Sequence, residues 1–342
     1  MSLNHISVVI LNWNGKELLE TFLPSVIANS GDAKIIVADN GSTDDSIKFV
    51  KENHPTVEII INKTNSGFAK GYNDVLQKIN NEIYVLLNND IEVTHNWLIP
   101  LSKIMEDKKV AACQPKILSY KNKKLFEHAG ASGGFIDKNY YPFCRGRIFN
   151  KVEEDTKQYD KKIEIFWATG ACLMIRSNYF HEIEGFDEDF FAHMEEIDLC
   201  WRLKKLNLKI IACPDSKVFH LGGGTLQYNS PKKVYLNFRN SLMMITKNHE
   251  GYILPKIILR LTLDGLAAFT FLLKNGEIFN FTAIFRAHLS YYLKLRLLLR
   301  KRRQIKSKKS TFNSKGIYKG SIITSYFLKK KNKFSNLDQK LF

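Results

Sequence analysis

The residues best able to do chemistry fall into a few polar clusters. Glu195, Glu196 and Asp198 crowd into the run HMEEIDLCWR. Acids favour the first turn of a helix, where they meet the positive end of the macrodipole. Three acids exceed what a cap requires. Crowded carboxylates also raise the pKa of one of their number, which suits a general base. Asp90 follows an apolar run in LLNNDIEV. A hard cation such as Mg2+ or Mn2+ takes oxygen ligands, few of them carboxylates, and completes its shell with phosphate and water. Asp90, with Asn88 and Asn89 beside it, meets that need and is equally good turn chemistry. His220, in FHLGGGT, could ligate a metal or touch phosphate, or be structural. The glycines at 222–224 imply a tight or mobile turn after it. Asp39 opens DNGSTDDS, where its carboxylate can accept from a base or ribose, or simply close an Asx turn. In NSGFAKGYND, Gly67 and Gly71 permit close approach to a ligand, and the amides of the helix that follows could hold a diphosphate.

These clusters need elements to position them. β-branched runs at 6–11, 34–38, 57–61, 83–87 and 110–117 read as strands, and 16–28, 69–78 and 96–106 as helices. Strand and helix alternating imply an α/β fold with a mostly parallel sheet covered on both faces. Ligands of such sheets bind beyond the carboxyl ends of the strands. The clusters at 12–15, 39–42 and 88–90 should therefore meet at one rim. The loop-rich stretch 119–163 reads as an insertion that shapes an acceptor site. IFWATGACLMIR reads as a buried strand and EEIDLCWRLKKL as a helix. LKIIACP and KVFHLGGGT read as two strands with a turn between them. From about residue 231 the pattern is helical. Lys256, Arg260 and Asp264 share one helical face, and Ile253, Ile257, Ile258 and Leu261 lie away from it, which describes an amphipathic helix suited either to a membrane surface or to packing against the catalytic domain.

The net charge of +17 is uneven: 15 Lys or Arg and no acid lie between Lys294 and Lys333, leaving the body nearly neutral. Such a segment suits an anionic membrane surface or a solvated, partly disordered end. The five cysteines are odd in number and form no CxxC pair. That points to reduced, buried thiols rather than a disulfide framework or a zinc site. The first residues lack the basic region and cleavage site of a signal peptide. The apolar stretch 252–273 is broken by Lys256, Arg260 and Asp264 and does not read as a spanning helix. A cytoplasmic protein, peripheral at the inner face of the membrane, is expected.

In order and spacing, VVILNWN, IIVADNGSTDDS, NSGFAKGYND, LLNNDIEV, TGACLMIRS, MEEIDLCWR and VFHLGGGT resemble glycosyltransferase family 2, most closely its rhamnosyltransferase-like branch. The resemblance covers about residues 6–248. It implies a single GT-A-type nucleotide-binding domain with a mixed central sheet over 1–230; the residue pattern itself adds a helical extension suited to a membrane surface over 231–303 and a basic tail over 304–342. The resemblance implies that Asn12, Asp39, Asn65, Gly67, Gly71, Asn73 and Asn89 lie near the nucleotide and donor sugar. Asp90 and His220 would bind the divalent metal, and Glu196 would be the general base. Glu195, Asp198, Trp201 and Arg202 would support the acceptor side. Two departures stand out. Asn88 occupies the first acidic position of the DxD-type motif, and the family's Glu–Asp pair is Glu195–Glu196. The implied reaction is a single inverting displacement from a dTDP- or UDP-linked sugar to a saccharide or lipid-linked acceptor.

Two other readings were weighed on the residues. A nucleic-acid-binding protein would use the basic run RKRRQIKSKK, but the chain lacks an aromatic platform and any zinc or helix-turn-helix spacing, so no nucleic-acid partner is expected. A sugar nucleotidyltransferase would want a glycine- and arginine-rich loop after the first strand, where this chain has LNWNGKELL.

Overall fold

The computed structural model describes residues 2–222, 230–307 and 311–342. Two of the three glycines expected to form the turn after His220, at 223 and 224, lie outside them. The chain opens with β1 (Ile6–Asn12), α1 (Lys16–Asn29), β2 (Lys34–Asp39), α2 (Ser46–Asn53), β3 (Glu58–Ile61), α3 (Gly67–Leu76) and β4 (Ile83–Asn88). β1 lies between β2 and β4, parallel to both, and β3 extends the same parallel run. Both faces of β1 are buried, which is why its sequence is a continuous apolar run rather than an alternation.

The sheet is completed from later segments. β5 (Ile91–Val93), α4 (Leu98–Ile104) and β6 (Val110–Ser119) come first. The insertion then forms β7 (Gly134–Asp137), β8 (Pro142–Cys144), β9 (Arg147–Ile148), β10 (Lys151–Val152) and β11 (Ile163–Glu164). Next come β12 (Cys172–Arg176), α5 (Ser177–Glu182), α6 (Glu195–Lys205) and β13 (Lys209–His220). β12 enters antiparallel between β4 and β6, so the nine-stranded sheet is mixed, in the order β11-β13-β6-β12-β4-β1-β2-β3 with β5 beside β13. The two strands expected near 208–225 are one strand, β13, whose register shifts between Cys213 and Lys217. Ser216 within that bulge donates to Trp97 O at 2.7 Å, which anchors the break. The buried strand expected over IFWATGACLMIR is shorter, beginning only at Cys172.

The chain then runs through α7 (Pro231–Asn248), α8 (Leu254–Asn275) and α9 (Ile278–Ser307) to β14 (Ile317–Tyr318). α7 starts at a capped proline, with Ser230 Oγ accepting from Lys233 N. The expectation of a partly disordered tail fails over 311–342. β14 pairs in parallel with β7 and closes a five-stranded second sheet, β10-β9-β8-β7-β14. Phe334 and Phe342 pack on Phe135, with ring centroids 5.0 and 5.3 Å apart. The tail's lysines conceal these interleaved aromatics, which supply the apolar surface that ordering requires.

Candidate active site

Strand register brings the first cluster together. Asn12 pairs with Asp39 across β1 and β2, and Leu11 with Asn88 across β1 and β4, so three parallel strands end side by side. Asn89 Nδ2 donates to Asn12 Oδ1 at 2.9 Å, and Asn12 Nδ2 to Asp39 Oδ1 at 3.3 Å. A cavity of about 640 Å³ opens at this rim. Asn12, Asn65, Gly67, Asn89, Asp90, Glu195, Glu196 and His220 all line it.

β5 turns back from Asp90 and pairs with the end of β13, opposing His220 to Ile91. That register sets His220 Nε2 3.0 Å from Asp90 Oδ1. On the other side of the ring, Nδ1 lies 3.2 Å from Glu127 Oε2. Burial alone would lower the imidazole pKa, but the two carboxylates outweigh it and hold it up to about 10. Burial likewise raises the Glu127 carboxyl, and His220 brings it down to about 2. A carboxylate and an imidazole whose second nitrogen faces another carboxylate could serve a divalent cation once the ring gives up the proton its two neighbours hold. Among the described residues, no group of three or more His, Cys, Asp or Glu encloses an ion. A cation here would take the rest of its shell from the diphosphate and water.

The acids reach the same cavity from α6. The backbone before that helix is strained, with Phe191, His193 and Met194 at φ of 65°, 70° and 71°. Oε2 of Glu195 and of Glu196 is buried with no hydrogen-bond partner among the described residues. Burial raises the Glu196 carboxyl to about 7, against the pull of backbone amides at the helix start. Burial and the neighbouring Glu196 charge raise Glu195 well above the carboxylate range.

Other expected site residues do different work. Asp39 lies beneath the cavity, fully buried, with Ser42 N donating to its Oδ2 at 2.9 Å in an Asx-type turn. Gly67 and Gly71 make close approaches to protein. A Cβ on Gly67, at φ +84°, would lie 2.6 Å from the Phe191 ring, and one on Gly71 would lie 2.9 Å from Asn40 Nδ2. Phe68 N and Ala69 N donate to Phe191 O at 2.8 and 3.3 Å, so these amides of α3 do not await a diphosphate. Asn73 clamps Phe186 from both sides, donating to its carbonyl and accepting from its amide at 2.9 Å each. With Arg202, it lines a separate cavity of about 900 Å³.

Helical geometry turns Asp198, Trp201 and Arg202 away from the cavity, so they support it from behind. Asp198 accepts from Arg202 Nε at 2.9 Å, Lys247 Nζ at 2.9 Å and Asn248 Nδ2 at 2.7 Å. Burial opposes its charge, but Lys247 and Arg202 hold its pKa below the ordinary value. Trp201 packs against Tyr140 and Phe166.

Sequence reading missed several wall residues. Trp13, His128, Arg147, Trp167, Lys232 and Lys233 line the cavity, and Glu127 backs it. Only Trp13, inside the first polar cluster, carried a local signal.

The fold is shared with solved glycosyltransferases of the GT-A type. GalNAc-T7, solved with UDP, GalNAc and Mn2+, matches with a TM-score of 0.55 at 19% identity, over 71% of this chain and 47% of that one. The chain thus spans about half the length of that transferase. Residues 1–349 of TarS from S. aureus match with a TM-score of 0.52 at 14% identity, over 87% of this chain and 91% of that one. The sequence is more specific. The glycosyl transferase family 2 model matches residues 7–184, and the chain belongs to that family. It is 26% identical over 255 residues to the low-salt glycan biosynthesis hexosyltransferase Agl10 of Haloferax volcanii, covering 70% of this chain and 75% of the relative. It is 23% identical over 297 residues to the N-acetylglucosaminyl-diphospho-decaprenol L-rhamnosyltransferase of Mycobacterium tuberculosis, covering 77% and 90%. The similarity falls in the rhamnosyltransferase-like branch, and the chain is a glycosyltransferase. Neither alternative reading gains support.

Proposed function

We propose that this enzyme is an inverting transferase that moves a sugar, L-rhamnose from dTDP-rhamnose foremost, onto a hydroxyl of a saccharide or lipid-linked saccharide. It works in cell-surface polysaccharide synthesis, peripherally at the cytoplasmic face of the membrane. One observation supports the reading: Asp90, His220 and Glu196, whose Oε2 has no partner among the described residues, line a single cavity at the sheet's rim. The rhamnosyltransferase named among the relatives supports the donor and a lipid-linked acceptor.

Asp90 and His220 would hold a Mg2+ or Mn2+, with Glu127 fixing the His220 ring. When bound, the cation supplies charge neutralisation for the diphosphate leaving group. Asn65 and Asn89 would meet the nucleotide at the cavity wall, and the buried Asn12 amide holds Asn89 in place. Asp39 keeps the Asn12 side chain in place from below. Glu196 takes the proton from the acceptor hydroxyl as that oxygen bonds to the anomeric carbon and the bond to the diphosphate breaks. One displacement from the face opposite the leaving group inverts the anomeric configuration.

A thermal-shift panel of dTDP, UDP and GDP, each with and without manganese, tests the donor side. Stabilisation by dTDP that grows with manganese is the expected result. Asp90→Ala should abolish the manganese increment. Stabilisation by UDP alone would move the donor to a UDP-sugar. No shift with any nucleotide would remove the basis of the reading.

A further inference from the structure

α8 and α9 form a hairpin that is turned inside out. The charged residues that share a face of α8 point inward. Arg260 Nε donates to Asp264 Oδ1 at 2.9 Å, and its guanidinium sits 3.8 Å from the centroid of the Tyr141 ring. His288 of α9 lies 3.4 Å from the other oxygen of Asp264, and both Arg260 and Asp264 are buried. Lys256 Nζ donates to Lys138 O. α9 is pinned from its inner side, where Lys294 and Lys301 pair with Asp189, and Lys301 also with Asp187, at 2.6–2.7 Å. The charged groups on the inner side of the hairpin hold it to the body.

The outward face is therefore apolar. On α8 it presents Ile258, Leu259, Leu266, Phe269 and Leu273. On α9 it presents Ile278, Phe279, Phe285, Leu289, Tyr292 and Leu293. Leu273 and Leu293 are each 80% exposed and Phe279 75%, far from the usual fate of such side chains. The stripe on α9 carries Arg286 and continues as Arg296, Arg300 and Arg303, also exposed. No described acid is exposed on either helix.

We propose that this face docks onto an anionic lipid bilayer, with the hairpin lying in the headgroup plane and its apolar side chains inserted. The inference rests on the membrane-surface part of the proposed function and names the surface responsible. Apolar side chains bordered by exposed arginines match a layer that is greasy within and negative at its rim. A second copy matches it poorly: twofold pairing would press the arginines onto each other or onto the apolar stretch and leave them desolvated and unpaired. No helix among the described residues is long and apolar enough to cross a membrane, so this contact is one of lying on the surface. The placement suits the chemistry. Ala268, Phe271, Ala283 and Ile284 of the hairpin pack with Val234 and Phe238 of α7. The same stretch of α7 supplies Lys232, Lys233 and Asn237 to the cavity wall. Docking would bring the cavity to the surface where a lipid-linked saccharide presents its hydroxyl.

Flotation of the full chain with vesicles of phosphatidylethanolamine and phosphatidylglycerol tests this. The wild-type chain should float with them and bind pure phosphatidylcholine weakly. The variant Leu266→Ser, Phe269→Ser, Leu289→Ser, Leu293→Ser should lose about a hundredfold in partitioning. Arg296→Glu, Arg300→Glu should lose about fivefold per arginine, an effect that fades in high salt. All these side chains are exposed, so both variants should keep the wild-type melting temperature. Both should also hydrolyse dTDP-rhamnose in solution at the wild-type rate, with water taking the sugar in place of the acceptor, a readout of the transferase reading that does not involve the membrane. Unchanged flotation of the serine variant would overturn the proposal. So would a wild-type dimer, seen by light scattering, that the serine variant splits into monomers.

Discussion

Replacing Glu196 by Gln should move activity and stability in opposite directions. The ordinary value for this carboxyl is 4.5, and burial in the cleft raises it to about 7. At about 1.4 kcal/mol per pKa unit, that difference corresponds to up to about 3 kcal/mol. Because the folded-state value lies above the unfolded one, the native state holds the extra proton between the two. The associated stability is fully present below about pH 4.5 and is lost as pH rises through about 7. Glutamine keeps the shape and remains neutral, so Glu196→Gln should melt a few degrees higher at pH 8 and almost unchanged at pH 4.5. Turnover should fall by about 10²- to 10⁴-fold, the usual contribution of a general base. The wild-type kcat/KM should rise with pH to a plateau, with its midpoint near 7. Calorimetry at two pH values and a coupled assay for released nucleoside diphosphate read both effects. A Gln variant that keeps its turnover, or melts lower at pH 8, would show that the ionised carboxylate serves the fold and not the reaction.

Three further outcomes are expected. Asn73→Ala breaks the clamp on Phe186 and should cost about 1–3 kcal/mol in chemical denaturation, with nucleotide affinity by calorimetry unchanged. Lys247→Met leaves Asp187 and Asp198 buried without their shared cation and should cost about 3–5 kcal/mol. Asp198→Asn in the same chain should recover part of that loss. Deleting residues 311–342 uncovers Phe135 and Phe143, so the shortened chain should bind hydrophobic dye and melt well below the full one.

The rim of the sheet was readable because it is local. A β-branched run that ends in Asn or Asp tells where the strand stops, and parallel neighbours must stop together, so Asn12, Asp39 and Asn88 had to meet. Glu127 was not readable, because its partner His220 is far away in the chain and its loop follows no period. Nor does periodicity tell which face of a helix looks inward. The spacing of Arg260 and Asp264 was visible, but their burial depends on Tyr141 and His288, which no window around α8 contains. The glycines misled for a related reason. Gly67 does mark a close approach, but the approaching group is Phe191. Charge counting hid the tail's packing, since lysines dominate the composition while the phenylalanines between them decide the fold.

The parallel pairing of Ile317 with Ile136 gives the molecule an order of assembly. On a ribosome, the strands that end at Asp39 and just before Asp90 emerge early and can find each other while synthesis continues. The small sheet cannot close until β14 has been made, because its neighbour β7 must wait for a segment about half the chain's length further on. Pro142 and Arg147, on that sheet, belong to the cleft wall. The donor rim can thus form on the nascent chain, whereas the wall facing it is finished only after translation has passed Tyr318.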